Sequence, residues 1–194
     1  AHRLAADRGV PVGAGWVVGF SAGALRDPRV AARLAATLAE GRSTECVLDL
    51  GDTLRQLVVP KDQVVRRLLD VTGGSGEHTA LIRDFVRGEL GVISRSAGAG
   101  LIVEYTPEGL LALNRGTAGA QAVVVAEDGR VTAPEDAAPV LRHLGTVRRF
   151  TDAMQEVHGA LTLEWVLSEG ELLFVDYSVL GDDQVVVGAA GARI

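Results

Sequence analysis

Apolar and polar residues alternate most clearly near the end of the chain, in Gly159-Ala-Leu-Thr-Leu-Glu-Trp-Val-Leu-Ser-Glu-Gly-Glu-Leu-Leu-Phe-Val-Asp-Tyr-Ser178. Two apolar runs, 161–167 and 172–175, flank Ser168-Glu169-Gly170-Glu171. Gly170 is placed to supply the positive φ of a tight turn, so the segment reads as a β-hairpin. At the other end, the pattern predicts a helix over 1–8, stopped by Gly9 and Pro11, and then a short buried strand over 16–20. Asp27 and Pro28 suit the cap and first turn of a helix whose Val30, Leu34 and Leu38 recur every four residues, up to Gly41. Residues 45–50 and 57–59 read as strands about a Gly51-Asp52 turn. Pro60 opens a further helix with Val64, Val65, Leu68 and Leu69 on its apolar face and Lys61 exposed in its first turn.

The middle of the chain predicts mostly strands. Residues 80–95 read as a strand, a short turn and a return strand, and 101–105, 110–114, 121–126 and 130–132 continue as a β-meander. Asp128-Gly129 turns its last hairpin. Residues 139–157 read as one long amphipathic helix with Leu141, Leu144, Val147, Phe150, Met154 and Val157 inward. Residues 182–194 read as an edge strand and a frayed terminus.

Composition narrows the class. A chain of 194 residues, 47% hydrophobic and 23% charged, has the length and apolar content for one domain or two small lobes with a real core. A net charge of −6 argues against nucleic acid as the main partner. No apolar run reaches the length of a bilayer span and no signal segment opens the sequence, so no membrane partner is expected. Cys46 is the only cysteine, which excludes a disulfide within the chain and a thiolate metal site; a single buried thiol fits a reducing, cytoplasmic setting. Lys61 is the only lysine, so any lysine contact to a phosphate must use it.

Candidate chemistry begins at the hairpin. Glu164 and Asp176 each stand among apolar neighbours, and folding about the turn can set them across from each other on one sheet face. Two carboxylates so placed repel unless a cation lies between them, and a hard cation with oxygen ligands, Mg²⁺ first, is the natural candidate. The same alternation also fits two acids that merely face solvent. The glycine-rich stretch Thr72-Gly-Gly-Ser-Gly-Glu-His-Thr79 lacks the glycine-lysine-serine/threonine ending of a P-loop and reads as a surface loop.

The hairpin resembles the metal-binding end of the ATP-grasp fold, and more closely the end of the nucleotide-binding domain of the phosphoenolpyruvate synthase and pyruvate phosphate dikinase family. There a strand with a "diEW" pattern is followed by a turn and a "lyiLQaRP" strand; Gly159 to Trp165 and Glu171 to Asp176 follow that order here. The resemblance implies an α+β, ATP-grasp-like fold, mostly antiparallel sheet with packed helices, in two small lobes at 1–79 and 80–194. It places Glu164, Asp176 and Ser178 at the metal. It makes 83–86 (Arg83, Asp84, Phe85, Val86) the hinge whose backbone pairs with adenine, and Glu89 the acid that holds the ribose. Lys61 joins these as the candidate lysine contact to the nucleotide. ATP and Mg²⁺ are the implied cofactors, and an ATP-dependent phosphotransferase the implied activity; no catalytic residue is assigned, though Arg95 and Arg115 are the nearest candidates for the family's arginines. Asp176 and Ser178 depart from the dikinase glutamine and arginine toward the Glu-x-Asn of other ATP-grasp proteins. The alternative is a non-catalytic ATP-grasp descendant that binds or assembles with a partner chain.

Overall fold

The structure is a computed structural model and describes residues 1–50, 56–72 and 76–180. They form two compact units: Gly13–Val86, and Ala1–Val12 together with the described residues from Arg87 onward. The chain opens with α1 (His2–Asp7), which belongs to the second of these.

The Gly13–Val86 unit contains β1 (Gly15–Ser21), α2 (Ala22–Leu25), α3 (Pro28–Ala39), β2 (Glu45–Leu50), β3 (Gln56–Pro60), a 3-10 turn (Lys61–Gln63), α4 (Val64–Val71) and β4 (Glu77–Asp84). Its strands make an antiparallel sheet in the order β1-β4-β2-β3. Strict alternation in β2 sends Cys46, Leu48 and Leu50 to one face, where they pack with Leu34 and Leu38 of α3 and Val64 and Leu68 of α4. As expected, Asp27 caps α3: its Oδ1 accepts from the Arg29 N–H at 2.8 Å, with Pro28 in the first turn. On the opposite sheet face Val17 is 75% exposed.

Cys46 is fully buried, and burial pushes its thiol up to about 11, with Lys61 opposing and Asp84 adding to the rise. The neutral thiol therefore favours the folded state fully below the ordinary value of 9.0, and that contribution is lost as pH rises through about 11. Thiol reagents at pH 8 should leave the native chain unlabelled and react only as denaturant unfolds it. The denaturation midpoint should fall between pH 9.0 and 11. Rapid labelling of the native chain would contradict this burial.

The second unit adds β5 (Leu90–Ala97), β6 (Gly100–Thr106), α5 (Leu110–Asn114), β7 (Gln121–Val125), β8 (Val131–Thr132), α6 (Ala138–Leu141), α7 (Leu144–His158), β9 (Leu161–Ser168) and β10 (Glu171–Val179). Its antiparallel sheet runs β10-β9-β5-β6-β7-β8. One face is dry. Phe150 of α7, Trp165 of β9 and Phe174 of β10 meet edge-on, with centroids 5.0–5.7 Å apart. The polar groups buried there are satisfied: Trp165 Nε1 donates to Ser94 Oγ at 2.9 Å, and Ser94 Oγ lies 3.1 Å from Thr151 Oγ1.

Five expectations are corrected. Residues 80–95 are not a hairpin: β4 ends at Asp84 in the four-stranded sheet, while β5 pairs with β6 and β9 in the six-stranded one. Leu110–Asn114 is helical, as a run of leucine and alanine without alternation favours. The long helix is divided into α6 and α7, and Val157, in the last turn beyond the buried stripe, is 64% exposed. Lys61 is not exposed, for a reason given below. His78, expected in a surface loop, lies in β4 with its ring 5.6 Å from that of Phe20. The Gly51-Asp52 turn, Gly73 to Ser75 and the 182–194 tail lie outside the described residues. Among the described residues no helix is long and apolar enough to cross a membrane.

Candidate functional site

The β9–β10 hairpin closes through Glu169 and Gly170, both at positive φ (53° and 78°), the geometry whose twist matches that of paired strands. From this turn a regular ladder would set Val175 across from Glu164 and drop Asp176 onto the core face. Instead the register shifts between Phe174 and Asp176, and Asp176 stands directly across from Glu164. Val175 is the extra residue of a β-bulge, and the bulge re-aims the second acid to the outer face. The geometry expected of the two acids is present, through a device that counting along the sequence does not reveal.

Cross-strand partners share a face, so the ladder defines what surrounds the pair. One row runs Asp176, Glu164, Ile93, Glu104; the next runs Ser178, Thr162, Arg95, Ile102. Glu164 and Asp176 are half-buried and Ser178 is exposed. Asp176 Oδ1 accepts from the Tyr177 N–H at 2.9 Å. Among the described residues no three His, Cys, Asp or Glu side chains converge as a metal cluster. The pair therefore offers two carboxylates and a neighbouring hydroxyl, an all-oxygen set that suits Mg²⁺, a cation that keeps waters and takes phosphate oxygens in its remaining positions.

Arg95 reaches diagonally across this face to Glu104, with Nη2 3.6 Å from Oε2. Glu104 was missed in the sequence, although it is the only charged residue of β6 and shares a face with the acid pair. Arg115 instead ends α5, exposed.

In the other unit, Arg83, Asp84, Phe85 and Val86 run off the end of β4. Arg83 is 7% exposed and lies between Gly15 and Val47 in the ladder; its Cγ is 3.5 Å from where a Cβ on Gly15 would be. The backbone of Phe85 is engaged: its N–H donates to Glu45 O at 3.0 Å and its carbonyl accepts from Ser43 Oγ at 2.7 Å. Val86 makes no backbone–backbone hydrogen bond among the described residues.

Asp84 explains the burial of Lys61. The Lys61 ammonium is 2.7 Å from Asp84 Oδ1, with the side chains 12% and 2% exposed, and lies 5.5 Å from the centre of the Trp16 ring. This is a charge contact, not an aligned hydrogen bond, since neither atom meets hydrogen-bond angles. Asp84 Oδ2 accepts from the Arg42 N–H at 2.8 Å and, more weakly, the Ser43 N–H at 3.4 Å. Gly41 leaves room for both groups: a Cβ there would collide with the Asp84 carboxylate and the Lys61 ammonium.

Glu89 belongs to the acid-pair unit. Its N–H donates to Leu167 O at 2.7 Å, and its Oε1 accepts from the Glu169 N–H at 3.1 Å, so it braces the hairpin turn.

No family model matches this chain, and no curated protein matches it in sequence. Solved structures do resemble it. A RimK domain ATP-grasp protein from Sphaerobacter thermophilus aligns over 93% of this chain and 57% of its own, at 17% identity and a TM-score of 0.52. N5-carboxyaminoimidazole synthase from Aspergillus clavatus, solved with ADP and its ribonucleotide, covers 93% of this chain and 43% of its own, at 12% identity and a TM-score of 0.53. The fold is ATP-grasp. D-alanyl-alanine synthetase A from Vibrio cholerae agrees, covering 95% of this chain and 55% of its own at 10% identity and a TM-score of 0.53. This chain spans about half the length of each, and at these identities the likeness is one of fold. The α+β, mostly antiparallel architecture expected from the sequence is met.

Proposed function

We propose that this chain is an ATP-grasp nucleotide-binding module that takes Mg-ATP. The observation that carries the reading is the bulge at Val175, which turns Asp176 away from the core and sets it opposite Glu164. A sheet that only needed two solvent-facing acids has no use for that irregularity. In this reading Glu164 and Asp176 hold Mg²⁺, with Ser178 beside them. The bound cation would screen phosphate charge and orient the terminal phosphoryl group. The hinge 83–86 offers the Val86 backbone to the base and the Arg83 side chain as a cation. Glu89 has one carboxylate oxygen committed to the hairpin turn and the other for a ribose hydroxyl. Lys61, held by Asp84, acts by shaping the hinge end of β4 and not as a mobile phosphate ligand.

The reaction class is phosphoryl transfer from ATP to an acceptor oxygen or to a partner's histidine, driven by positioning and charge neutralisation. Asp176 and Ser178, where the dikinase pattern has glutamine and arginine, weigh against the dikinase reaction itself and toward the broader ATP-grasp class. The engagement of the sole lysine with Asp84 favours a second reading, a non-catalytic subunit that works with a partner chain.

Calorimetric titration with ATP, with and without Mg²⁺, tests the proposal. Binding that requires the metal is the expected result. No heat at millimolar ATP with Mg²⁺ present would end the nucleotide reading and leave the partner-binding one.

A further inference from the structure

Among the described residues the two sheets end in four edge strands, and these are not equally protected. A bare edge offers its N–H and C=O groups to any other strand, and folded chains blunt it with brevity, charge, proline or a covering segment. β8 has two residues, and β3 has five and ends in Pro60. β10 carries Glu171 and Asp176 and is covered where the Phe174 N–H donates to Pro11 O at 2.8 Å. β1 has none of these guards: it is seven residues long, Gly-Trp-Val-Val-Gly-Phe-Ser, without charge or proline. Among the described residues it pairs with β4 alone. Ala14 O accepts from the Asp84 N–H at 2.8 Å, and antiparallel ladders alternate, so Trp16, Val18 and Phe20 turn their backbone groups toward β4. Gly15, Val17, Gly19 and Ser21 therefore turn theirs to the open edge. On the outer face Val17 is 75% exposed, and a Cβ on Gly19 would meet nothing within 4 Å.

We propose that β1 is the interface to a second copy of this chain, the two β1 strands pairing antiparallel about a two-fold axis at Val18. The strand is self-complementary about that centre. Val17 of each copy pairs with Gly19 of the other, and Gly15 with Ser21, so every outward backbone group of the seven residues finds a partner. The exposed valine lies over the open glycine, and Val18 meets Val18 as the closer, non-hydrogen-bonded kind of pair. Charge agrees with this direction. In β4, Arg83 stands beside Gly15 and Glu77 beside Ser21, so the Arg83 end of each sheet faces the Glu77 end of the other. Other registers leave part of the strand unpaired. The contact uses the same patch on both copies and closes at two. It is independent of the Mg-ATP reading.

Sedimentation of the full chain over about 1–300 μM, without nucleotide, tests the pairing, since a contact of one strand lies at the weak end of interface sizes. A reversible monomer–dimer equilibrium is the expected result. Two double variants then read the register. Val17→Lys with Gly19→Lys sets like charges directly across the axis twice, whereas Val17→Lys with Gly19→Glu sets opposite charges there. Both pairs of changes fall on open positions of the single chain, so its fold should be kept in each. The lysine–lysine protein should dimerise about tenfold more weakly than the lysine–glutamate one, although it carries less net negative charge. Val18→Cys supplies a measurement that does not depend on those variants. A non-hydrogen-bonded pair brings two Cα atoms to about 4.5 Å, within disulfide range, so mild oxidation should link two chains through residue 18 while buried Cys46 stays reduced. A wild type that remains monomeric at about 300 μM would overturn the inference. So would assembly beyond two copies, equal dimerisation of the two charge variants, or a Val18→Cys dimer no more readily linked than a Gly15→Cys one.

Discussion

Glu164→Gln is expected to remove magnesium-dependent nucleotide binding while leaving the protein folded. Losing an outer-shell partner of a metal ligand already costs about 10–100-fold in affinity, so neutralising one of two ligating carboxylates should cost on the order of 100-fold or more. Glutamine keeps the size of the side chain and its place in the ladder opposite Asp176 and Ile93. The group is half-buried and off the aromatic core, so the melting temperature should move by only about 2–4 °C. Asp176→Asn should behave alike, because the two acids are one unit. The measurement is a Mg²⁺ titration at fixed ATP for wild type and variants, with melting curves alongside. A variant that binds Mg-ATP as tightly as the wild type would show that the pair is an ordinary polar face.

Asp84→Ala should produce the largest loss of stability in the Gly13–Val86 unit. It strips the counter-charge from Lys61, leaves the Arg42 and Ser43 N–H groups without their acceptor, and opens a space beside Gly41. Removing one partner of a buried ion pair costs about 3–5 kcal/mol. For a chain of this size that is a fall of roughly 6–20 °C in melting temperature. Lys61→Met should be milder, because Asp84 keeps its two backbone donors. The double change Lys61→Met with Asp84→Ala should lose less than the two single effects combined, since it leaves no orphaned charge. Denaturant melts of the four proteins decide the matter. Additive losses would mean that the contact carries no coupling.

Much of the fold was legible because most elements bury one face. The β9–β10 hairpin, the α3 cap and the alternating β2 followed from side-chain period and turn chemistry alone. What misled were features set by distant partners. Lys61 reads as exposed because the acid that holds it is distant in sequence; Asp84 arrives only when β4 pairs with β2. Residues 80–95 carry strand signals throughout, but pattern does not say that two consecutive strands join different sheets. Leu110–Asn114 looks like a strand from apolarity. Its helical backbone lies so close to Gly91 that a Cβ there would collide with the Gly109 and Leu110 backbone. The site was half legible. The acids could be named from their apolar surroundings, and the resemblance supplied roles for them. Glu104 had no local signal tying it to them, because only sheet order places β6 one strand beyond β5.

The bulge also gives the hairpin an unusual freedom in length. Were Val175 absent, the ladder would run without interruption and still set the same aspartate opposite Glu164, with Tyr177 opposite Leu163. Chains that differ by one residue at this point can therefore present the same acid pair. An alignment that forbids a gap there will match Asp176 to a core position and conceal the likeness.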